Sequence, residues 1–230
     1  GHICGGGYGL LSRKYGLVCD WLSGVDILVP DSQGKGLEPR HVSRDSTQED
    51  ELDLFAACCG AGGGQFGIIT SYYFKDLPPA PKEVLWLVLE WDWSVLTQDA
   101  LNNLLVAYQR WFASHQSNPD TWGLATKLEM RHEHTGNITL GIHYVDKEGE
   151  LNDRAPFDDF VDKMLTAIGL PATESLVPFH VVHLPPGTAG GRPIDSVSSA
   201  QAAARRLDWL VCEQTLNGSG DNQRGRYKSA

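Results

Sequence analysis

The chain has 230 residues, of which 41% are hydrophobic and seven are tryptophan, so it is long and apolar enough for one large domain or parts of two. This composition excludes a disordered chain. The net charge of −10 argues against nucleic acid or an anionic membrane surface as the main partner. No apolar run approaches the roughly 18 residues that span a membrane.

A cluster of glycines surrounds a single aromatic residue, Tyr8, at the start of the chain. Its members are Gly5, Gly6, Gly7 and Gly9. Glycine is favoured where the backbone takes a positive φ or comes close to a ligand. Because ordering so many glycines costs conformational entropy, the cluster indicates either a ligand-binding loop or a tight packing constraint.

Between this cluster and the first proline-rich segment, the pattern predicts two strands and one short helix. Residues 25–29 form an apolar run that ends at a proline, which is typical of a buried strand. Residues 37–50 are polar and aperiodic, which predicts a loop. Residues 65–74 are β-branched and aromatic and predict the second strand. Residues 50–59 suit a helix whose expected apolar face carries Leu52, Phe55, Ala56 and Cys59.

The proline-rich residues 77–81 predict a domain boundary. Proline fixes its own φ and restricts the residue before it, so this segment is expected to be stiff and extended. We therefore expect one domain over residues 1–80 and a second over residues 81–230.

The second domain is predicted to combine helices with antiparallel strands. Residues 84–91 predict a strand, and residues 124–130 and 138–145 alternate in hydropathy on either side of a polar turn, which predicts a hairpin. Two apolar stripes at helical spacing predict amphipathic helices. The stripes are Leu101, Leu104, Leu105, Tyr108, Trp111 and Phe112, and then Phe157, Phe160, Val161, Met164, Leu165 and Ile168. A further strand over 177–184 and a third helix over 200–211 complete the predicted elements.

A second glycine cluster matches the letters of a dinucleotide-binding fingerprint, Gly62-x-Gly64-x-x-Gly67. That fingerprint requires a strand before it and a helix after it. Here the predicted helix comes first and the strand follows, so we reject a Rossmann fold. Either cluster could still present backbone N–H groups to a phosphate or a ring, or form an ordinary tight turn.

The histidines and cysteines predict no metal site. His132 and His134 lie near the predicted hairpin turn without further ligands that the sequence identifies, so a solvated turn is favoured. We interpret the adjacent Cys58 and Cys59 as small buried hydrophobic residues. The sequence leaves open whether the protein is secreted or cytoplasmic.

Two segments resemble signatures of the berberine bridge enzyme-like flavin oxidases, which belong to the vanillyl-alcohol oxidase or PCMH-type FAD-binding superfamily. Residues 1–17, Gly-His-Ile-Cys-Gly-Gly-Gly-Tyr-Gly-Leu-Leu-Ser-Arg-Lys-Tyr-Gly-Leu, resemble the first signature. Residues 54–70, Leu-Phe and then Gly-Ala-Gly-Gly-Gly-Gln-Phe-Gly-Ile-Ile-Thr, resemble the second. Residues 215–230 resemble a segment of the branch that oxidises sugars and antibiotics.

The resemblance implies an α+β chain. Residues 1–80 would be the second subdomain of a PCMH-type FAD-binding domain, and residues 81–230 a substrate domain with an antiparallel sheet backed by helices. The implied cofactor is FAD, which in this family is often attached through a histidine and a cysteine, both expected upstream of residue 1. The general base is expected beyond Ala230. The chain would then be an interior fragment that needs the remainder of the same polypeptide to complete the flavin site, and we expect it to hold FAD poorly alone.

The resemblance also assigns roles to individual residues. His2 matches a histidine that hydrogen-bonds the flavin and supports negative charge on the reduced ring. Tyr8 matches an aromatic residue beside the ring whose hydroxyl assists proton removal or orients the substrate. The alternatives are a frayed terminal His2 and a Tyr8 that packs under the glycine loop. Cofactor contacts, mostly from the backbone, are expected from Gly1, His2, Gly5, Gly6, Gly7, Tyr8, Gly9, Gln65, Phe66, Gly67, Ile68 and Ile69.

Substrate contacts are expected from Tyr8, His143, Tyr227 and Lys228. His143 lies on a predicted strand, where it is either an ordinary sheet residue or a side chain that faces the flavin. Lys127, Glu129 and Tyr144 share that ambiguity.

The implied function is oxidation of an alcohol of a carbohydrate or a glycosylated natural product. Hydride would pass to flavin N5, and O2 would accept the electrons and give H2O2. An alkaloid-type substrate is an alternative. Two alternatives come from other functional classes: a non-catalytic binding module that keeps the fold, and a nicotinamide-dependent dehydrogenase. The expected partners are a small-molecule substrate and O2, without nucleic acid or a membrane.

Overall fold

The structure is a computed structural model, and it describes residues 1–170, 172–174, 192–196, 203–210 and 212. The chain divides into two compact units, Gly1–Pro79 and Ala80–Ala230. Both contain helices and antiparallel strands, which confirms the predicted α+β class. Among the described residues, no helix is both long and apolar enough to cross a bilayer.

The first unit is built on an antiparallel sheet with the strand order β2-β1-β3. Its elements are α1 (Ser12–Tyr15), β1 (Leu22–Pro30), β2 (Leu37–Ser43), α2 (Glu49–Cys58) and β3 (Ile68–Phe74). Alternate residues of β1, Val25 and Ile27, face the core, where they join Phe55 and Cys58 of α2. The hydrophobic burial of this one sheet face against one helix stabilises the unit.

Two predictions for this unit are wrong in detail. Residues 37–43 form strand β2 instead of loop, because their backbone pairs with β1 residue by residue from Pro30↔Leu37 to Gly24↔Ser43. Within β2 only Val42 is fully buried, so this edge strand has no apolar periodicity to detect. The α2 helix also turns a different face inward. Its exposed residues include Leu52 and Ala56, and its buried residues are Phe55 and Cys58.

The second unit contains a larger antiparallel sheet with the order β5-β6-β4-β9-β8, and β7 also pairs with β4. Its strands are β4 (Glu83–Trp91), β5 (Leu124–Met130), β6 (Ile138–Tyr144), β7 (Thr173–Glu174), β8 (Arg192–Ser196) and β9 (Ala203–Asp208). Its helices are α3 (Gln98–His115) and α4 (Ala155–Ile168). The β5–β6 hairpin is confirmed, with the pairs running from Leu124↔Tyr144 to Met130↔Ile138.

Helices α3 and α4 cover one face of this sheet. The oxygen of the Thr97 side chain accepts a hydrogen bond from the Ala100 N–H and caps α3, while α4 ends at Gly169 with φ 65°. Both predicted helical stripes contribute to the core. The sheet residues that meet them are Leu85, Leu87, Leu89, Trp91, Leu124, Ile138, Leu140, Ile142 and Tyr144. The other sheet face is therefore formed by the residues between these in sequence.

The predicted helix over residues 200–211 is wrong over Ala203–Asp208, which form β9. The alanine and arginine content of this segment suits a helix, but its backbone pairs with β4 from Glu83↔Asp208 to Trp86↔Arg205. Pairing with a neighbouring strand outweighs the weak local propensity. The predicted strand over residues 177–184 lies outside the described residues.

Candidate functional site

The first glycine cluster forms a tight turn that only glycine accommodates. Gly6 and Gly7 have φ values of 97° and 77°, in the left-handed region. A Cβ on Gly7 would lie 2.8 Å from Cγ2 of Val18. The Val18 N–H in turn donates to the Gly7 carbonyl oxygen at 3.1 Å. The cluster is therefore closely packed on one side, as a fixed loop must be.

The second glycine cluster lies against the first. The Gly62 N–H donates a hydrogen bond to the Cys4 carbonyl oxygen at 2.9 Å, and a Cβ on Gly63 would lie 3.5 Å from the Gly1 Cα. Two motifs far apart in the sequence are thus brought together at one end of the first unit. This is the arrangement that a shared ligand site requires.

The other side of the joined clusters is open. A Cβ placed on Gly1, Gly5, Gly9, Gly60 or Gly64 would meet no heavy atom within 4 Å. The N–H groups of Gly5 and Gly9 already donate inside the loop, to the Gly1 carbonyl oxygen at 3.0 Å and to the Ser12 hydroxyl oxygen at 2.8 Å. Backbone without side chains and with free space beside it still suits the close approach of a planar ring. The residues present therefore fit the flavin that the sequence implies.

The side chains that sequence reasoning assigned to the flavin are mostly exposed around this opening. Tyr8 is 72% exposed, Ile68 is 59% exposed and Phe66 is 40% exposed. His2 and Gln65 are exposed, and Ile69 is half-buried. Packing of Tyr8 under the glycine loop, the alternative considered above, is wrong because its ring lies at the surface. Large apolar side chains left exposed on the two joined segments favour a binding surface here.

Cys4 anchors the glycine loop to the core, which sequence reasoning missed. Its side chain is 3% exposed, and its Sγ lies 3.3 Å from the Tyr72 hydroxyl on β3. Burial, aided by this contact, raises the pKa of Tyr72 to about 12. Burial also raises the pKa of the Cys58 thiol to about 11. Tyr72 and Cys58 are therefore neutral near pH 7, and they act in packing and hydrogen bonding, as the apolar interpretation of Cys58 anticipated.

A polar cluster on the outer face of the first sheet was also missed. Asp26 accepts a hydrogen bond from the Tyr73 hydroxyl at 2.5 Å and contacts His41 Nδ1 at 2.7 Å. These contacts, that of Tyr73 first, lower the pKa of Asp26. The three residues stand on β1, β3 and β2, so the cluster links the strands across the sheet. Their wide separation in the sequence left no local signal.

His143 is the candidate substrate residue that the structure makes most unusual. It is fully buried on β6, opposite Trp86 of β4 and Ala125 of β5. Its ring meets that of Trp209 at a centroid distance of 5.5 Å, and neither ring nitrogen has a hydrogen-bond partner among the described residues. Burial lowers the pKa of His143 to about 4. The imidazole is thus neutral at pH 7, with a donor and an acceptor unused.

The neighbouring candidates divide between the two sheet faces. Tyr144 lies on the helix-covered face, where its hydroxyl donates to the Asp153 carbonyl oxygen, so it is a core residue. Lys127 and Glu129 lie on the other face with His143, by strand alternation. Burial would raise the pKa of Glu129, but Lys127 and Arg131, each 3.3 Å away, lower it overall. Glu129 is therefore ionised at pH 7.

Four candidate residues remain, two in the turn before β6 and two near the end of the chain. His132 and His134 are exposed beside each other before the β6 strand, with ring centroids 5.0 Å apart. Within the described ranges, no group of three or more histidine, cysteine or acidic residues could hold a metal ion. Tyr227 and Lys228 lie outside the described residues.

Comparison with known proteins shows what this arrangement resembles. No family model matches the chain. Hexose oxidase from Chondrus crispus is 35% identical over all of this chain and 42% of its own length. Berberine bridge enzyme-like 1 from Arabidopsis thaliana is 32% identical over 52% of this chain and 19% of its own length. The solved structure of a glycopeptide hexose oxidase complexed with teicoplanin is 29% identical, with a TM-score of 0.63 over 73% of this chain and 36% of that chain.

The fold is thus that of the flavin-linked oxidoreductases. More specifically, the chain belongs to the berberine bridge enzyme-like, FAD-linked family of the PCMH-type superfamily, as its two motifs predicted. It spans less than half the length of these relatives: 42%, 19% and 36%.

Proposed function

We propose that the whole protein carrying this chain is an FAD-dependent oxidase of an alcohol group on a carbohydrate or a glycosylated natural product. The observation that carries the proposal is the junction of the two glycine clusters through Gly62 and Cys4, with open space beside it. The similarity to a hexose oxidase along the entire chain supports the substrate class. The similarity to a glycopeptide hexose oxidase solved with teicoplanin supports it independently.

The first unit would supply part of the flavin site. The backbone of Gly5, Gly6, Gly7 and Gly9 and of the segment from Gln65 to Ile69 would pack against the ligand, with Gly1 beside them. The exposed rings of Tyr8 and Phe66 and the exposed Ile68 side chain would be covered by the ligand and the adjoining polypeptide. Burial of such apolar surface contributes about 25 cal/mol per Å² to binding, before the costs of association.

A bound flavin would supply the redox chemistry, taking a hydride from the substrate and passing electrons to O2 to give H2O2. His2 would donate a hydrogen bond to the ligand where negative charge develops, which stabilises that charge most where water is excluded. The Tyr8 hydroxyl would orient the substrate alcohol or help to hold its departing proton. Both side chains are exposed and therefore free to make these contacts.

The second unit would supply substrate contacts. His143 is neutral, and neither ring nitrogen has a partner among the described residues, so once substrate binding uncovers this buried ring it can donate one hydrogen bond to a sugar hydroxyl and accept another. Such a contact would remove the cost of leaving its buried polar atoms unpaired. Tyr227 and Lys228 are proposed to contribute near the substrate entrance on the family resemblance alone. The assignment of residues 1–80 to the flavin domain and 81–230 to the substrate domain belongs to the same proposal.

We also propose that the flavin of the whole protein is attached through a histidine and a cysteine outside this chain. Four cysteines of this chain are poor candidates, since Cys4, Cys19, Cys58 and Cys212 are buried, and the half-buried Cys59 packs against the core of the first unit. Yellow colour that stays with the protein after acid precipitation would support the attachment. Colour that is released into the supernatant would contradict it.

The test is an oxidase assay on the full-length protein. We expect flavin absorption, and O2 uptake with matching H2O2 formation on free hexoses or a glycosylated natural product. Tyr8→Phe and His2→Ala should each lower kcat by at least about tenfold. Tyr73→Phe, which changes another exposed tyrosine of the same unit, should retain activity. A colourless protein that consumes no O2 would overturn the proposal in favour of a non-catalytic module, and NAD(P)H-dependent turnover without O2 uptake would favour a dehydrogenase.

A further inference from the structure

The Arg44 side chain forms hydrogen bonds with three backbone carbonyl groups that lie next to the glycine loop. Its Nη2 carries two hydrogens and shares them among the carbonyl oxygens of Cys19 at 3.3 Å, Asp20 at 3.1 Å and Leu22 at 3.2 Å. Its Nε also donates to the Leu22 carbonyl oxygen, at 3.4 Å. The acceptors lie in the 3-10 helix Val18–Trp21 and at the first residue of β1. The Cys19 carbonyl oxygen also accepts the Leu22 N–H, and the guanidinium adds a charged donor to it and to the carbonyls of Asp20 and Leu22.

That short helix carries the glycine loop. The Val18 N–H donates to the Gly7 carbonyl oxygen at 3.1 Å, and the Cys19 N–H donates to the Gly6 carbonyl oxygen at 3.2 Å. Gly6 and Gly7 are the two loop glycines with a positive φ. Hydrogen bonds therefore connect Arg44, through the 3-10 helix, to the two loop glycines with a positive φ. Arg44 itself touches neither glycine in these contacts.

The arginine is held in turn by the first unit. Its guanidinium carbon lies 5.8 Å from the centre of the Phe55 ring on α2. The backbone N–H of Arg44 donates to the Ser23 carbonyl oxygen at 3.0 Å. A planar, forked donor on a fixed stem can serve several carbonyls at once. Lysine has three N–H donors on its one nitrogen, but it lacks the Nε–H donor to Leu22 and the planar group over Phe55, so it can reproduce the arrangement only in part.

We infer that Arg44 is a positioning residue for the flavin-binding glycine loop. It holds the helix Val18–Trp21, which fixes the buried Gly6 and Gly7 and thereby keeps the open backbone of Gly5 and Gly9 beside them in one conformation. Loss of this pre-organisation should weaken flavin binding without removing any flavin contact. The inference rests on the proposed function for the identity of the ligand, but not for the positioning of the loop.

The experiment compares Arg44→Met and Arg44→Lys with Arg40→Met in the full-length protein. Arg40 is the matched control because it stands on β2, four residues before Arg44, and pairs with Asp50 and Glu51 of α2. Hydrogen–deuterium exchange of the flavin-free protein reports the loop directly. FAD affinity, measured by titration of the apoprotein or, for an attached flavin, the fraction of protein flavinylated, reports the consequence.

We expect Arg44→Met to speed amide exchange at Val18 and Cys19 and to lower FAD affinity or flavinylation about tenfold. Arg44→Lys, which keeps a charged donor but loses the Nε contact, should give a smaller loss than Arg44→Met, and added guanidinium ion should partly restore affinity to Arg44→Met. Arg40→Met should lower the melting temperature without either effect. Unchanged exchange at Val18 and Cys19 in Arg44→Met, or an equal loss of FAD affinity in Arg40→Met, would overturn the inference. If the wild-type protein binds no FAD but Arg44→Met still loosens the loop, the positioning role stands and the proposed flavin function fails.

Discussion

The Gly62 N–H donates to the carbonyl oxygen of Cys4 at 2.9 Å, and this single backbone contact ties the two glycine-rich motifs of the chain together. Neither motif needs a side chain for it, so the contact depends on the conformations of the two loops. Those conformations depend on glycine at particular positions. The consequences of adding a Cβ therefore differ sharply between neighbouring glycines.

Gly67→Ala should destabilise the first unit strongly, and Gly63→Ala should not. Gly67 has φ 152°, and a Cβ there would lie 2.9 Å from Cγ1 of Ile27 and in contact with the Leu28 carbonyl oxygen. Gly63 has no such φ, and its nearest neighbour, the Gly1 Cα, would be 3.5 Å away. We expect a loss of about 2 kcal/mol or more for Gly67→Ala and less than about 0.5 kcal/mol for Gly63→Ala. Equal urea midpoints for the two variants would contradict this.

The elements that sequence reasoning predicted correctly are those in which one face is buried. Helices α3 and α4 and the strands β4, β5 and β6 carry an apolar face against a common core, so their hydropathy repeats with the period of the element. Strand β2 has one fully buried side chain, Val42, and β9 is polar at Arg205 and Arg206. Their structure comes from pairing with β1 and β4, and such pairing leaves little trace in the local sequence.

The candidate site was predictable to the extent that it consists of backbone. Glycine marks positions where a side chain would not fit, so Gly7 and Gly67 were visible as motif letters. The side chains that support the loops were not visible. Arg44 contacts backbone carbonyl groups and Tyr72 contacts a thiol, in each case of residues distant in the sequence. No local sequence pattern marks such contacts.

Asp146→Asn should destabilise the second unit. Asp146 is 1% exposed, and its carboxylate accepts hydrogen bonds from the N–H groups of Glu150 at 2.8 Å and Asn152 at 2.5 Å. Burial would raise the pKa of Asp146, but these backbone donors outweigh it and the pKa is lowered. An amide can accept on one side only, so a buried N–H loses its partner at a cost of about 1 to 3 kcal/mol.

The control for this measurement is Asp92→Asn. Asp92 also accepts a backbone hydrogen bond, from the Ser94 N–H at 2.8 Å, but in an exposed turn where water replaces a lost partner. We expect a change below about 1 kcal/mol there by urea unfolding. A loss in Asp92→Asn as large as that in Asp146→Asn would show that burial is not what makes Asp146 important.

Trp111 and Asp159 should be energetically coupled. The Trp111 indole N–H donates to Asp159 Oδ2 at 2.7 Å between α3 and α4, and Trp111 is 2% exposed. In a double-mutant cycle with Trp111→Phe and Asp159→Asn, we expect a coupling free energy of about 1 kcal/mol, read from urea unfolding. Lys163 also pairs with Asp159 at 2.8 Å. Lys163→Met in place of Trp111→Phe should give a smaller coupling, because that pair is exposed. Strict additivity for Trp111 and Asp159 would refute the role of this hydrogen bond.

His143 should make the stability of the second unit depend on pH between about 6.5 and about 4. Burial lowers the pKa of His143 in the folded protein to about 4, whereas an unfolded histidine titrates near its ordinary 6.5. In that interval the unfolded chain binds the extra proton, so protons favour unfolding and stability falls as the pH falls. The contribution is complete above pH about 6.5, and its loss by pH about 4 is on the order of 3 kcal/mol.

We expect His143→Gln to lack this part of the pH dependence in urea unfolding, while His132→Gln, at an exposed position, keeps the wild-type profile. A His143→Gln profile parallel to that of the wild type would mean that the imidazole is not held neutral by burial. Ligand binding that pairs the ring nitrogens should change the His143 titration, and NMR of the ring protons with and without a hexose would detect that change.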